Sequence, residues 1–407
     1  MKVRLARRME DLKASDIREM LKFTQSPDVI SFAGGLPAPE CFPVEELKEV
    51  SLRLLERAGR QAMQYSTTEG HLPLRRWIAA RMRQRDGAAV TPEQILITSG
   101  SQQGLDLSGK LFLDEGDVVF CESPTYLAAI SAFRACRASF VAVPSDEQGM
   151  IVEELERLAS GCEHGRLVYV IPDFQNPSGR TWSLARRKEL LEVAARLELP
   201  VVEDAPYREL RFEGDELPAL AALDRDGRVI FTSTFSKVLC PGLRIGWVAA
   251  PGPALEKYVL AKQGSDLHTS TLAQLLVSTF MEEQDVDRHI ASIRSVCRER
   301  RDAMLRAADE WLPREVRVSR PGGGLFLWLE LPPGLETREW LQRCLAHGVA
   351  FVPGDAFFPN GGGENAARIC FSGSPEAQIV EGVRRMAVAL REMSGAARLS
   401  WPETMAA

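Results

Sequence analysis

The stretch TPEQILITSGSQQGLDLSGKLFL, residues 91–113, decides the fold class. Residues 95–98 form a short apolar run with the length of a buried strand. Ser99-Gly100-Ser101 is a tight turn, and an amphipathic helix opens at Gln102. A strand that passes through one tight turn into a helix is the repeating step of an α/β layer.

The step recurs downstream. Strands are expected at 118–121, 140–143 and 167–171, each followed by a helix, at 125–136, 151–160 and 183–197. Further strands are expected at 201–204, 229–233 and 245–250. This pattern predicts an α/β fold whose large domain holds a mostly parallel, seven-stranded-type sheet. From about Asp285 the pattern changes. A charged helix at 285–311 leads to strands near 316–319 and 325–330, a helix at 337–347, a strand at 367–371 and a last helix at 375–394. These read as a smaller α+β domain. Upstream, 9–24 reads as a helix with Leu12, Ile17, Met20 and Leu21 on one side, and SFAGGLPAPECFP (31–43) as a loop. Helices are expected at 44–58 and 73–84. The expected organisation is an N-terminal helix and loop (1–44) packing with the small domain, a large domain (45–290), a small domain (291–394) and a frayed tail (395–407).

Composition narrows the class. The chain has 407 residues, 45% of them hydrophobic, enough for a substantial core. A net charge of −6 argues against a nucleic-acid partner. The eight cysteines are scattered without a CxxC pair, as expected of reduced thiols in the cytoplasm. Cys162-x-His164 and Cys344-x-x-His347 lack a second pair at zinc spacing, so no metal is expected. The basic N-terminus is followed by no apolar leader core. No run reaches the roughly 18 apolar residues of a membrane span, so no membrane association is expected.

Open parallel sheets bind ligands beyond the carboxyl ends of their strands. Four such ends carry chemistry here. Ser99-Gly100-Ser101-Gln102 opens a helix, where free N–H groups suit a phosphate. Asn176 follows the strand LVYVIP, Asp204 ends VVED, and Lys237 follows VIFTSTFS within STFSKVLCPGLRIGW (233–247), with Arg244 seven residues on. Each alone has a commoner structural reading: a capped turn, an Asn-Pro turn, a helix cap, a surface lysine. Together they form the set that pyridoxal 5′-phosphate (PLP) requires. A lysine forms a Schiff base with the aldehyde and then carries the proton. A carboxylate keeps the pyridine nitrogen protonated, and an amide and a phenol hold the ring oxygen.

With these residues in place, the chain resembles the fold-type I PLP-dependent aminotransferases of class I/II, most of all the 2-aminoadipate and kynurenine aminotransferase subgroup. The resemblance runs from about residue 10 to 393. It is carried in order by SFAGGLPAPECFP, QYSTTEGHLPLR, ITSGSQQGLDL, FQNPSG, VEDAPYREL, STFSKVLCPGLRIGW, AKQGSDLHT and VAFVPGDAFFPNGGGENAARICFS. It implies that Lys237 holds the cofactor, that Asp204 pairs with the pyridine nitrogen, and that Asn176 and Tyr207 reach the ring oxygen. Ser101, Gln102, Ser236 and Arg244 would hold the phosphate, with Thr234 where the family often has a serine, and Tyr126 would stack on the ring. Arg368 would bind the substrate α-carboxylate through a two-pronged contact. Tyr65 would reach the site of a second subunit, which implies a homodimer with shared active sites.

The same resemblance bears on the substrate. Gly35, within Gly34-Gly35-Leu36, would lie over the substrate and leave room for its side chain. Ser15 and Arg18 match positions near that side chain, and two readings of Arg18 stand: a partner for a distal carboxylate, or a solvated arginine on an amphipathic helix. Asp16 departs from the threonine expected there and offers Arg18 a competing partner. The expected reaction is transfer of an α-amino group from 2-aminoadipate, an aromatic or a branched-chain amino acid to a 2-oxo acid, with the 2-oxoglutarate/glutamate pair as the second couple. Two alternatives are another Cα reaction at the same site, such as a decarboxylase, synthase or cyclising enzyme, and an effector-binding domain without catalysis.

Overall fold

The computed structural model describes residues 5–9, 28–394 and 399–405. The helix expected at 9–24, with Ser15, Asp16 and Arg18, lies outside the described residues apart from residue 9.

A two-residue strand, β1 (Ile30–Ser31), precedes the large sheet. That sheet is built from β2 (Ile95–Thr98), β3 (Val118–Ser123), β4 (Ser139–Asp146), β5 (Gly149–Met150), β6 (Gly165–Val170), β7 (Val201–Asp204), β8 (Val229–Thr234) and β9 (Gly246–Ala249). Their order is β2-β9-β8-β7-β6-β3-β4-β5. β4, β3, β6, β7 and β8 run parallel. The two-residue β5 adds an eighth strand to the expected seven by turning back on β4. β9 is antiparallel to both its neighbours, β8 and β2.

The apolar runs that mark these strands are buried on both faces, because helices cover the sheet on both sides. Leu96, Val202, Ile230 and Val248 join one core, whereas Ile95, Ile97, Phe231 and Ala249 join another, so alternate residues serve opposite faces. One consequence positions the site. The carboxyl ends of β2, β3, β6, β7 and β8 share one edge, and the reversed β9 brings its amino end to that same edge. In the register, Gly246 stands opposite both Thr98 and Thr234.

Strands β10 (Arg317–Val318), β11 (Phe326–Glu330), β12 (Val349–Ala350), β13 (Val352–Pro353) and β14 (Ala366–Cys370) follow. β10, β11, β14 and β13 form an antiparallel sheet in that order. The pair β12 and β13 was not expected, because VAFVP is too short and too broken by proline to show a period. β1 pairs with β12 in parallel, and Phe32 accepts from Cys370 N while donating to Ala350 O, so residues 30–32 join this smaller unit. The helix Val286–Trp311, capped by Asp285 on the N–H of Arg288, runs through the expected division at 290. The tail also departs from expectation. Residues 399–405 fold back on that helix, with Ser400 N on the Glu315 carboxylate, Thr404 Oγ1 on the Glu310 carbonyl and Trp401 against the core.

Candidate active site

A cavity of about 520 Å³ opens at the shared edge. Ser101 and Gln102 reach it from the end of β2, Tyr126 from beyond β3, and Asn176 from beyond β6. Asp204 and Tyr207 reach it from β7, and Thr234, Ser236 and Lys237 from β8. Arg244 reaches it from just before β9, which only the reversal of that strand allows.

Asp204 sits in the floor, 1% exposed. Its Oδ2 accepts from the phenol of Tyr169 at 2.8 Å, and its Oδ1 is buried without a hydrogen-bond partner. Burial pushes its pKa up to about 7, opposed by the Tyr169 hydrogen bond and the charge of Lys237. A buried carboxylate with one orphan oxygen calls for a cationic donor.

Lys237 donates from Nζ to the carbonyl of Gly35 at 2.8 Å. Burial first, and the charges of Arg368 and Arg244 after it, bring its pKa down to about 8. An amine so placed is a nucleophile near neutral pH. Gly35 itself is constrained, since a Cβ there would lie 2.9 Å from Phe326 Cζ.

Arg368 is buried at 1% exposure on β14. Nη1 donates to Asn176 Oδ1 at 2.9 Å and Nη2 to the Ala33 carbonyl at 2.6 Å, while Nε is buried without a partner. The guanidinium is sandwiched, 4.3 Å from the ring centroid of Phe326 and 5.0 Å from that of Phe357. Asn176 Nδ2 in turn donates to the Tyr207 oxygen at 3.3 Å. The Tyr207 hydrogen therefore stays free to donate, and burial raises the phenol pKa well above its usual value.

The turn at the end of β2 is built for close approach. Gly100 has φ +79°, and a Cβ there would meet Arg244 Nη2 at 2.5 Å. Gly246 lies so near the same turn that its Cβ would stand 2.7 Å from Ser101 N. Ser101 is the first residue of the helix Ser101–Phe112. Thr234 Oγ1 lies 2.8 Å from Ser236 Oγ and accepts the Ser236 N–H at 3.1 Å, so the hydroxyls of β8 and its turn are held together. The Gln102 side chain donates to the Ala128 carbonyl at 3.3 Å. Arg244, itself at φ +54°, reaches back to the Ser99 carbonyl at 3.4 Å. A helix N-terminus, two hydroxyls and a guanidinium make an anion cradle.

The profile of the family described as aminotransferase class I and II matches residues 27–386. The chain belongs to this family. An aromatic-amino-acid aminotransferase of Thermococcus litoralis is 45% identical over 94% of this chain and 92% of its own length. A 2-aminoadipate transaminase of Thermus thermophilus is 48% identical over 93% of this chain and 94% of its own. The crystal structure of LysN, the α-aminoadipate aminotransferase of Thermus thermophilus, complexed with N-(5′-phosphopyridoxyl)-L-leucine, superposes with a TM-score of 0.90 at 45% identity, covering 96% of this chain and 98% of that one. The protein is thus a PLP-dependent aminotransferase.

The residues of this aminotransferase fit that cofactor: the orphan oxygen of Asp204, the amine of Lys237 and the anion cradle at Ser101 and Arg244 border one cavity. Tyr65 is not among them. It is 78% exposed, its ring meeting His268 edge-on at 5.7 Å. The sequence reading missed Tyr169, Phe326 and Phe357. Tyr169 had a signal, a phenol in the middle of the buried strand LVYVIP, where a hydroxyl needs a partner. The two phenylalanines had none, being indistinguishable from core residues until Arg368 lies between them. Among the described residues no group could hold a metal ion, and no helix is long and apolar enough to cross a membrane.

Proposed function

We propose that this aminotransferase moves the α-amino group of 2-aminoadipate, an aromatic or a branched-chain L-amino acid to a 2-oxo acid, with 2-oxoglutarate and glutamate as the second couple. The observation that carries the reading is Arg368, a buried guanidinium hydrogen-bonded to Asn176, which borders the cavity holding Lys237 and Asp204. A buried arginine with an unpartnered Nε suits an α-carboxylate, and its planar fork suits the bidentate contact. The breadth of donors is supported by relatives named for aromatic amino acids and for 2-aminoadipate, and by the leucine adduct of LysN.

The roles follow from position. PLP, when bound, supplies the electron sink for charge developing at Cα. Asp204 holds a proton on the pyridine nitrogen through its free Oδ1. Tyr207 donates to the ring oxygen and Asn176 orients both Tyr207 and Arg368. Ser101, Gln102, Thr234, Ser236 and Arg244 hold the phosphate, and Tyr126 covers the ring. Lys237 would hold the cofactor, and its amine would move the Cα proton as general base and acid. Residues 45–290 carry the cofactor in this reading, and residues 291–394, joined by the strand at Ile30–Ser31, bring Arg368. Whether Arg18 and Ser15 read a distal carboxylate belongs to the same proposal.

We further propose a homodimer in which Tyr65 completes the partner's site. In support, Tyr65 stands out from the surface beside exposed Met63, and the nearby helix Val44–Ala62 exposes Leu52 and Leu55. The eight cysteines are free thiols, which fits the cytoplasm. The test is a donor panel on the purified, cofactor-loaded protein, read by the cofactor's absorbance and by glutamate formed from 2-oxoglutarate. Conversion with at least one donor of each proposed class is expected. No conversion with any of them overturns the substrate assignment, and sustained release of carbon dioxide or ammonia without a 2-oxo acid overturns transamination.

A further inference from the structure

Lys262 lies on the helix Gly252–Asp266 with its side chain fully buried, outside the catalytic cavity. Its ammonium is held by three residues: Gln103 Oε1 at 2.7 Å, both oxygens of Asp266 at 2.8 and 3.0 Å, and Thr269 Oγ1 at 3.0 Å. A buried lysine is costly to keep charged, and burial lowers its pKa while Asp266 opposes the shift. Lys262 is the buried member of the pair, Asp266 keeping 30% of its side chain exposed, so the burial of this ammonium needs a reason.

The reason lies in what they orient. Gln103 Oε1 accepts from Lys262 and also from Ser99 N at 2.8 Å, while Gln103 Nε2 donates to Asp266 Oδ2 at 2.8 Å. The ammonium and the carboxylate together fix which way this amide points, since a flip would set NH₂ against the ammonium and oxygen against the carboxylate. Ser99 Oγ donates to the same Asp266 oxygen at 3.2 Å. Ser99 is thereby gripped by both its N–H and its hydroxyl, one residue before Gly100 and two before Ser101, and its carbonyl faces Arg244.

The other side of the network runs outward. The Thr269 carbonyl accepts from Gln274 Nε2 at 2.7 Å and from His268 Nδ1 at 2.8 Å. Since a carbonyl only accepts, Nδ1 carries the hydrogen and Nε2 is left to accept the N–H of Ser66 at 3.3 Å, beside the Tyr65 ring. Gln274 Oε1 also accepts the N–H of His71 at 2.8 Å, closing the segment that bears Tyr65 onto the same network.

We propose that Lys262 and Asp266 are positioning residues for the phosphate end of the cofactor site and that His268 ties this turn to the Tyr65 segment, so that the surface offered to a second subunit and the retention of the phosphate are coupled. The inference rests on the assignment of the Ser101 turn to the cofactor phosphate. It is tested by titrating wild-type and Lys262→Met protein with PLP and, separately, with pyridoxal, which lacks the phosphate, reading covalent capture by absorbance. Lys262→Met is expected to weaken PLP about tenfold, the scale on which second-layer partners act at metal sites, and to leave pyridoxal unchanged. An equal loss for both compounds, or a loss for neither, overturns the proposal.

Should Lys262→Met not fold, Thr269→Val keeps the ion pair and is expected to shift the same ratio less, in the same direction; an unmoved ratio overturns the proposal. His268→Phe keeps an aromatic ring against Tyr65 but removes both ring hydrogen bonds. It is expected to weaken PLP about threefold with pyridoxal unchanged, and an unmoved ratio removes the coupling to Tyr65. Wild-type protein that fails to distinguish PLP from pyridoxal overturns the phosphate assignment itself.

Discussion

Tyr169 donates its phenol hydrogen to Oδ2 of Asp204 at 2.8 Å, and Oδ1 of the same buried carboxylate has no partner in the protein. One oxygen is thus satisfied by the fold and the other is open to a donor from outside it. Hydrogen bonding to the charged form favours it, so Tyr169 works against the burial that pushes Asp204 up to about 7. Tyr169→Phe therefore raises the Asp204 pKa further. A hydrogen bond to a charged acceptor is worth about 1.5–3 kcal/mol, so kcat is expected to fall about tenfold or more with the cofactor retained. Steady-state kinetics beside the cofactor absorbance check this, and an unchanged kcat would show that the bond does not tune the carboxylate.

Asp204→Ala tests the proposed partner of the pyridine nitrogen. The variant is expected to keep its cofactor, through Lys237 and the phosphate cradle, and to lose at least about two orders of magnitude in rate. A rate near wild type would assign the nitrogen to another residue.

Lys237 should reveal its depressed pKa during cofactor capture by the cofactor-free protein. The neutral amine is the nucleophile, and burial brings the pKa from 10.5 down to about 8. Below about pH 8 the capture rate is expected to rise about tenfold per unit, levelling off above it. Stopped-flow absorbance measures it, and a rise that continues to pH 10 would contradict the shift. In the proposed role of Lys237, Lys237→Ala loses both the covalent link and the proton carrier, and its turnover is expected to vanish.

Arg368→Lys keeps a positive charge but loses the planar fork held between Phe326 and Phe357. The KM for the amino donor is expected to rise about 100-fold, while the affinity for PLP stays put. A matching loss in cofactor affinity would mean that the arginine serves the fold rather than the substrate.

Asp173, three residues before Asn176 in the same loop, receives ion pairs from Arg187, Arg208 and Arg211. These guanidinium groups hold its pKa below the usual carboxylate range despite full burial. A depressed folded-state pKa contributes stability that is complete above the unfolded value, about 3.9, and is lost as pH falls through the folded one. Asp173→Asn leaves three buried or half-buried cations short of a partner, and a loss of about 3–5 kcal/mol is expected at neutral pH. Urea midpoints across pH check the sign: the gap to wild type should narrow only below about pH 4.

The order of residues alone carries the α/β alternation and most of the residues proposed for the cofactor. Both are local: apolar runs of strand length mark β2, β6, β7 and β8, and Ser101, Asn176 and Lys237 follow such a run by a few residues while Asp204 ends one. The rest depends on strand order and direction, which no local period encodes. Arg244 precedes its strand and reaches the cavity because β9 alone is reversed between β8 and β2. Tyr169 and Asp204 meet because β6 and β7 lie side by side in parallel register. Arg368, Phe326 and Asn176 come from distant parts of the chain and meet only when the antiparallel pair β11 and β14 sets arginine over phenylalanine beside the loop after β6. Residues near in sequence inherit their placement from the strand they end, whereas residues far apart are joined only by long-range pairing.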